Sequence, residues 1–322
     1  MTILVTGGAG FIGTHLTKRL LDEGHIVLAV DNFCSNYDPE LKRRNVANFK
    51  NQPGYYLFEG DIRESHFLHL LFGTYPVDAV IHLAGLAGVR PSLQKPAAYF
   101  DTNVTGTVTL LQTMQDFKVD KMVFASSSSV YGERNETPFR ESDLIEGLAS
   151  PYAISKRTGE MVIQNAHQLY GLNAYCLRFF TVYGPNQRPD MAISSFIRRL
   201  FAGERIQLFG TGQSVRDYTY VNDIVAGIVR AVERVSGFEI INLGSGRPIA
   251  LIDLVRHLEY FTGRKARIEY RPDQLGDVSR TFADLSKAAQ LLGYQPRVLL
   301  EEGLQRMVNG FQAEQTFLLE EK

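Results

Sequence analysis

The stretch Ile3–Gly13, ILVTGGAGFIG, decides how the rest of the chain is read. Ile3 to Thr6 form a short strand pattern. Gly7, Gly10 and Gly13 follow, and Ile12, Leu16 and Leu20 then recur at helical spacing until Gly24 stops the pattern. A strand, a glycine turn and a helix in that order make a phosphate cradle. The glycines allow a tight turn and close approach of backbone to a pyrophosphate, and the helix N-terminus faces the phosphates. A glycine triplet alone is weak, because a purely structural turn has the same pattern. Asp31 decides between the two readings. It ends the next strand pattern, Ile26–Val30, 18 residues beyond Gly13, where an acid accepts a ribose hydroxyl. The same carboxylate repels a 2′-phosphate, which favours NAD over NADP. Asp61 and Ile62 follow the third strand pattern, where they meet an adenine edge or, equally well, cap the helix pattern Arg63–Phe72. Ala84 and Gly85 end VIHLAG with side chains small enough for a cofactor to cross the sheet edge.

Outward from this stretch, apolar runs alternate with amphipathic ones. Strand patterns at Tyr55–Glu59, Val77–Ala84, Lys121–Ser127 and Ala174–Phe180 are separated by helix patterns at Arg63–Phe72, Ala97–Phe117 and Ser155–Tyr170. That alternation predicts an α/β fold with a Rossmann-type doubly wound parallel sheet. Beyond about residue 180 strands shorten and Gly, Pro and Arg become frequent, which predicts a smaller mixed α/β C-terminal substrate domain. We expect the division at 1–178 and 179–322, with some later segments returning to the first sheet. The 322 residues suffice for such a pair, and 44% hydrophobic content suits a soluble globular protein. The balance of 34 basic against 35 acidic residues leaves no electrostatic footprint for nucleic acid or an anionic membrane. Two distant cysteines, Cys34 and Cys176, exclude a disulfide framework and point to the reducing cytoplasm. We expect no leader, no membrane span and no metal site, because no apolar run approaches about 20 residues and no Cys/His cluster has ligand spacing.

The chemistry is expected where FASSSSVYG, residues 124–132, ends a core strand with four hydroxyls, and where SPYAISKRTGE carries Tyr152 and Lys156 four residues apart. That spacing puts both side chains on one helix face. A neighbouring ammonium favours the phenolate, and a bound nicotinamide cation adds to the effect. A shift of about three units, ~4 kcal/mol, would make Tyr152 a usable base near neutrality. Alone, such a pair is more often a surface tyrosine beside a solvated lysine; the dinucleotide motif upstream reverses that reading.

In combination, Gly7-x-x-Gly10-x-x-Gly13, the serine-terminated strand, Tyr152-x-x-x-Lys156, LRFFTVYGP and RDYTYVNDI resemble the extended short-chain dehydrogenase/reductase superfamily, specifically its nucleotide-sugar epimerases and dehydratases. The resemblance implies bound NAD, a nucleoside-diphosphate sugar substrate and a Ser/Thr–Tyr–Lys catalytic set of Ser127, Tyr152 and Lys156. It also implies cofactor contacts from Phe11, Ile12, Asn32, Leu83, Asn103 and Ser126, and a homodimer. Dehydratases resemble Asp-Glu at Ser128 and Ser129, and UDP-glucuronate decarboxylases carry Glu at Ser129. Two hydroxyls bind an oxygen-rich group but do not transfer protons near pH 7 as a carboxyl pair does.

RFFTVYGPNQRPDMA and GLAGVRPSL, with Thr181, Arg188 and Arg90, resemble the UDP-glucuronate 4-epimerase group. Arg188 can pair with a carboxylate bidentately, Ser128, Ser129 and Thr181 can add hydroxyls, and Arg90 can reach the diphosphate or the carboxylate. The resemblance further implies diphosphate binding by Arg216, a uracil pocket at Gln207 and Phe209, and contacts from Gln274 and Asp277. The expected activity is NAD-dependent interconversion of UDP-glucuronate and UDP-galacturonate through a 4-keto sugar. The alternatives are a UDP-glucuronate decarboxylase, a 4-epimerase of neutral UDP-hexoses, and a non-catalytic nucleotide-sugar sensor. Leu86, Pro91 and Asn186 depart from the group's usual residues, which bears on fine substrate preference.

Overall fold

The structure is a computed structural model and describes residues 1–134 and 136–320, with side chains up to 313. Twelve strands run β1 (Thr2–Thr6), β2 (Ile26–Asp31), β3 (Tyr55–Glu59), β4 (Ala79–His82), β5 (Lys121–Ser127), β6 (Asn173–Phe179), β7 (Thr181–Tyr183), β8 (Arg205–Phe209), β9 (Val215–Tyr220), β10 (Phe238–Leu243), β11 (Pro248–Ala250) and β12 (Arg267–Arg271) among the described residues. Seven form one parallel sheet in the order β10-β6-β5-β4-β1-β2-β3. The order reverses between β1 and β4, and such a reversal opens a crevice beyond the carboxyl ends of the strands.

The central strands of the sheet are buried on both faces, as in a parallel sheet covered by helices. Ile3 and Val5 of β1 belong to one core with Leu16 and Leu20 of the helix Phe11–Asp22 and Ile224 and Ile228 of the helix Val221–Arg234. Leu4, between them, belongs to the opposite core with Leu110, Met114 and Ile163 of the helices Gly106–Asp116 and Pro151–Tyr170. This alternation is the period of two expected of a strand buried on both sides.

Several elements differ from the sequence expectation. The helix Pro39–Ala47 is too polar to show an apolar period, and forms instead behind a Pro at its first turn and the Asp38 carboxylate capping Glu40 N at 2.9 Å. The pattern Ala97–Phe117 is helical as expected but not α throughout. Pro96–Phe100 runs into a turn of π-helix at Asp101–Thr105 before Gly106–Asp116. The strand expected at Val77–Ala84 is confined to Ala79–His82. Of the later segments, some of which are expected to return to the first sheet, β10 pairs there with β6. The helix Leu300–Glu320 was not anticipated.

Two small sheets, β11-β9-β7 and β12-β8, build the C-terminal region. The first is anchored by Asp217 of β9, whose fully buried carboxylate accepts from Ser245 N and Oγ (both 2.7 Å), Gly246 N (3.0 Å), Ala283 N (3.2 Å) and Thr219 Oγ1 (3.2 Å). Removing a buried acceptor strands its donors. Asp217→Ala is therefore expected to lower stability by about 3 kcal/mol, read as a drop in the urea midpoint; an unchanged midpoint would contradict this role.

Candidate active site

The glycine turn is shaped by contacts only glycine tolerates. Gly7 has φ +71°, and a Cβ there would stand 2.8 Å from Ala84 N. A Cβ on Gly13 would stand 2.3 Å from Gly7 O. The helix Phe11–Asp22 begins with no side-chain cap and no acid in its first turn. Its free N–H groups thus favour an anion. The crevice beyond the turn is a cavity of about 600 Å³. Gly7, Gly10, Phe11, Ile12, Gly13, Asp31, Asn32, Ile62, Leu83 and Ala84 line one part of it. Ser126 to Ser129, Tyr152, Lys156, Thr181 and Arg188 line the other. A bare backbone cradle, an acid at the end of β2 and a shallow crossing at Ala84 fit a dinucleotide.

Asp31 does not stand free at the cavity edge. It accepts from Ala9 N (3.2 Å), Phe33 N (2.9 Å) and the buried Lys42 ammonium (3.0 Å). Lys42 escaped the sequence reading because it sits in LKRR, which looks like a solvated basic run. Asp61 pairs with Arg63 at 2.7 Å and accepts from Asn32 Nδ2 at 2.9 Å, and these donors, Arg63 first, hold its carboxyl at about 2. Asn103 does not line the cavity. Its amide is occupied by Leu86 N (2.7 Å), Leu86 O (3.0 Å) and Ser155 Oγ (2.9 Å), so it ties the 84–88 loop to the helix that carries Tyr152.

At the reacting end, Ser127 closes β5 and the next two serines open a turn of 3-10 helix, Ser128–Tyr131. Ser127 Oγ lies 3.1 Å from Ser129 Oγ. Ser126 turns its hydroxyl away from the cavity, to Glu160 at 2.6 Å. Tyr152 packs edge-on against Tyr99, with ring centroids 6.2 Å apart. Lys156 is buried, and its ammonium donates to Ala125 O at 2.7 Å. The expected depression of the phenol by Lys156 is not what this geometry gives. Burial pushes Tyr152 above its ordinary value, against weaker pulls from the Ser127 hydroxyl and the Arg188 charge.

Arg188 is also placed differently from the simple expectation. It forks onto Asp190, Nε to Oδ1 at 3.0 Å and Nη2 to Oδ2 at 2.6 Å, and donates from Nη1 to Ala87 O at 3.2 Å. Asp190 was visible two residues downstream, but only the fold shows the two side chains turned together. The remaining candidates gather in a second cluster outside the cavity. Arg90 lies 4.4 Å over the Phe209 ring and 2.7 Å from Asp277. Arg216 is within electrostatic reach of both Asp277 and Arg90. Gln274 O accepts from Asp277 N at 3.2 Å, and Gln207 lies 3.5 Å from Glu269 on the adjacent strand. Arg90 thus belongs with the second cluster and not with Arg188.

Comparison with known proteins agrees with this geometry. Residues 3–244 match the model of the NAD-dependent epimerase/dehydratase family. A UDP-glucuronate 4-epimerase of Thermodesulfobacterium geofontis is 44% identical over 307 residues, covering 95% of this chain and 94% of that protein. The crystal structure of a Bacillus cereus UDP-glucuronic acid 4-epimerase with UDP-glucuronic acid and NAD is 34% identical, with a TM-score of 0.92 over 98% of this chain and all of that one. A Thermotoga maritima UDP-glucose 4-epimerase with UDP-glucose is 35% identical, with a TM-score of 0.91 over the same shares. The glycine cradle, the Tyr152–Lys156 helix face and these similarities together establish that the chain belongs to the NAD-dependent epimerase/dehydratase family.

Proposed function

We propose that this protein is an NAD-dependent 4-epimerase that interconverts UDP-glucuronate and UDP-galacturonate. The observation that carries the reading is the wall facing Tyr152. It offers the hydroxyls of Ser127, Ser128, Ser129 and Thr181 and the Arg188 guanidinium, and within the serine run it offers no carboxylate. A guanidinium has five N–H donors. Three of those on Arg188 are occupied, and one on each terminal nitrogen is left for a sugar carboxylate. Asp190 then acts as the brace that aims this edge. The relatives named for UDP-glucuronate support the acidic substrate; the similar UDP-glucose 4-epimerase supports a neutral hexose as the second reading.

The glycine turn, the uncapped helix start, Asp31, Asn32, Asp61 and Ile62 would hold the dinucleotide, with Phe11, Ile12, Leu83 and Ala84 along its path. Bound NAD supplies the hydride acceptor and donor that inversion at C4 requires. Ser127 orients the C4 oxygen, and Tyr152 takes its proton and later returns it. The resting phenol stands above its ordinary value even with the Arg188 charge beside it, so the further positive charge that a bound nicotinamide cation would bring is needed to draw it toward neutrality. Arg90, Phe209, Gln207, Arg216, Gln274 and Asp277 would hold the UDP half, with the ring free to turn about the diphosphate. A 4-keto uronate loses carbon dioxide only when its C–C bond aligns with the carbonyl π system. A carboxylate gripped by Arg188 and the hydroxyls is kept out of that alignment. We place residues 1–178, completed by β10, on the dinucleotide side and 179–322 on the sugar side, and the enzyme in the cytoplasm.

The substrate is identified by incubating the pure protein with UDP-glucuronate and following products by NMR. UDP-galacturonate supports the reading; UDP-xylose or no turnover contradicts it. Tyr152→Phe is expected to lower kcat by about 10²–10⁴-fold while dinucleotide affinity in calorimetry is preserved; a loss under tenfold would remove Tyr152 from proton transfer. Arg188→Ala is expected to reduce kcat/KM by about 10²-fold, the worth of a charge-assisted pair, with UDP-pentose in the residual product. Kinetics matching wild type would remove Arg188 from the grip. A homodimer is supported by Val108, Ile154 and Met161, exposed at 45%, 37% and 55% on the helices Gly106–Asp116 and Pro151–Tyr170. Light scattering on the wild type and on Met161→Glu should show a dimer and its weakening, and a monomeric wild type contradicts the assembly.

A further inference from the structure

Behind the serine run lies a buried charged cluster that no step above uses. Tyr152, Lys156 and Glu160 follow one another at four-residue spacing on the helix Pro151–Tyr170, and so share a face. Glu160 is fully buried. Its carboxylate accepts from Ser126 Oγ (2.6 Å), Arg178 Nε and Nη2 (2.8 and 2.9 Å) and Arg157 Nη1 (2.8 Å). Four donors, three of them charged, hold it ionised below its ordinary range despite burial. Ser126 directly follows Ala125, whose carbonyl receives the Lys156 ammonium. Two helix residues one turn apart therefore grip two consecutive residues of β5.

We infer that Glu160 is the fixed counter-ion of Lys156, a positioning residue that keeps this ammonium charged at neutral pH and its acceptor strand in register. The inference rests on the proposed role of Tyr152 and Lys156 in proton transfer and adds the group that sustains it. Other ionisable groups near Lys156 do not supply the negative charge. His82 on β4 is held neutral, its pKa lowered to about 3 by burial and then by Lys156. Cys176 on β6 is buried and kept a thiol, and Tyr152 is kept a phenol. Arg178 on β6, Arg157 on the same helix and Arg188 across the cavity are positive. Burial lowers Lys156 to about 8, and Glu160 opposes that fall. Without the carboxylate burial would act on the ammonium unopposed, and its proton would be held less tightly. Arg157 is part-exposed and partly offsets Glu160, so removing it should have the opposite effect.

The test uses full-length protein labelled with [ε-¹³C]lysine. The Lys156 signal, assigned by its loss in Lys156→Met, is titrated by NMR in wild type, Glu160→Gln and Arg157→Gln. Glu160→Gln should move the midpoint down by about one unit, a tenfold loss of proton affinity, and Arg157→Gln should move it up. The alkaline limb of kcat/KM should follow in the same directions. Coincident midpoints in all three proteins overturn the counter-ion role. Should Glu160→Gln fail to fold, the upward shift or its absence in Arg157→Gln decides. The midpoints do not depend on turnover. A protein that shows the shifts but leaves UDP-sugars untouched therefore keeps this inference and loses the proposed activity.

Discussion

The contact on which the site depends is the 2.7 Å hydrogen bond from the Lys156 ammonium to the carbonyl of Ala125. Ala125 lies one residue beyond the last pairing of β5 with β4, and a buried ammonium has three donors to place. The contact gives the ammonium one acceptor and holds the helix Pro151–Tyr170 against the C-terminal part of β5. Tyr152 then overlooks Ser127, and the serine run has to face the cavity. Ser126 and Glu160 fasten the next residue along. Sequence, strand end and catalytic geometry meet at this point.

A second theme is the way buried charge is handled. Asp31 with Lys42, Glu160 with Arg178 and Arg188 with Asp190 are ion pairs at the cavity or just behind its wall. Such pairs contribute little net stability, because desolvation cancels most of the attraction. What they fix is direction. Lys42 and two backbone amides aim the Asp31 carboxylate, and Asp190 aims the guanidinium edge that is left for a ligand. A site proposed to hold a dinucleotide, a diphosphate and a sugar acid needs its charges fixed before the ligands arrive.

Local signals carried much of this structure. The glycine turn, the period-two strands and the Tyr152–Lys156 spacing are set by residues a few positions apart, and the cavity is lined by them. Long-range facts were out of reach. The polar helix Pro39–Ala47 has no apolar stripe, so Lys42 seemed solvated. The π-helical turn at Asp101–Thr105 sits inside an apolar rhythm that gives no sign of it, and Asn103 within it bonds Leu86 and Ser155. A return of some later segment to the first sheet is expected from the sequence, but that the segment is β10 beside β6 follows from strand order, which periodicity does not encode. The phenol of Tyr152 illustrates the limit most clearly. Its four-residue distance from Lys156 is legible, but the outcome of the competition between burial and charge depends on where the ammonium points.

The central claim is that Tyr152 moves only the hydroxyl proton, while the hydrogen on C4 never meets solvent and the acid group beside it is held still. It is tested most directly with UDP-glucuronate carrying deuterium at C4. The expected result is UDP-galacturonate with the deuterium still on C4 and none released to water. Deuterium washed into solvent, or labelled pentose as the main product, would contradict the account.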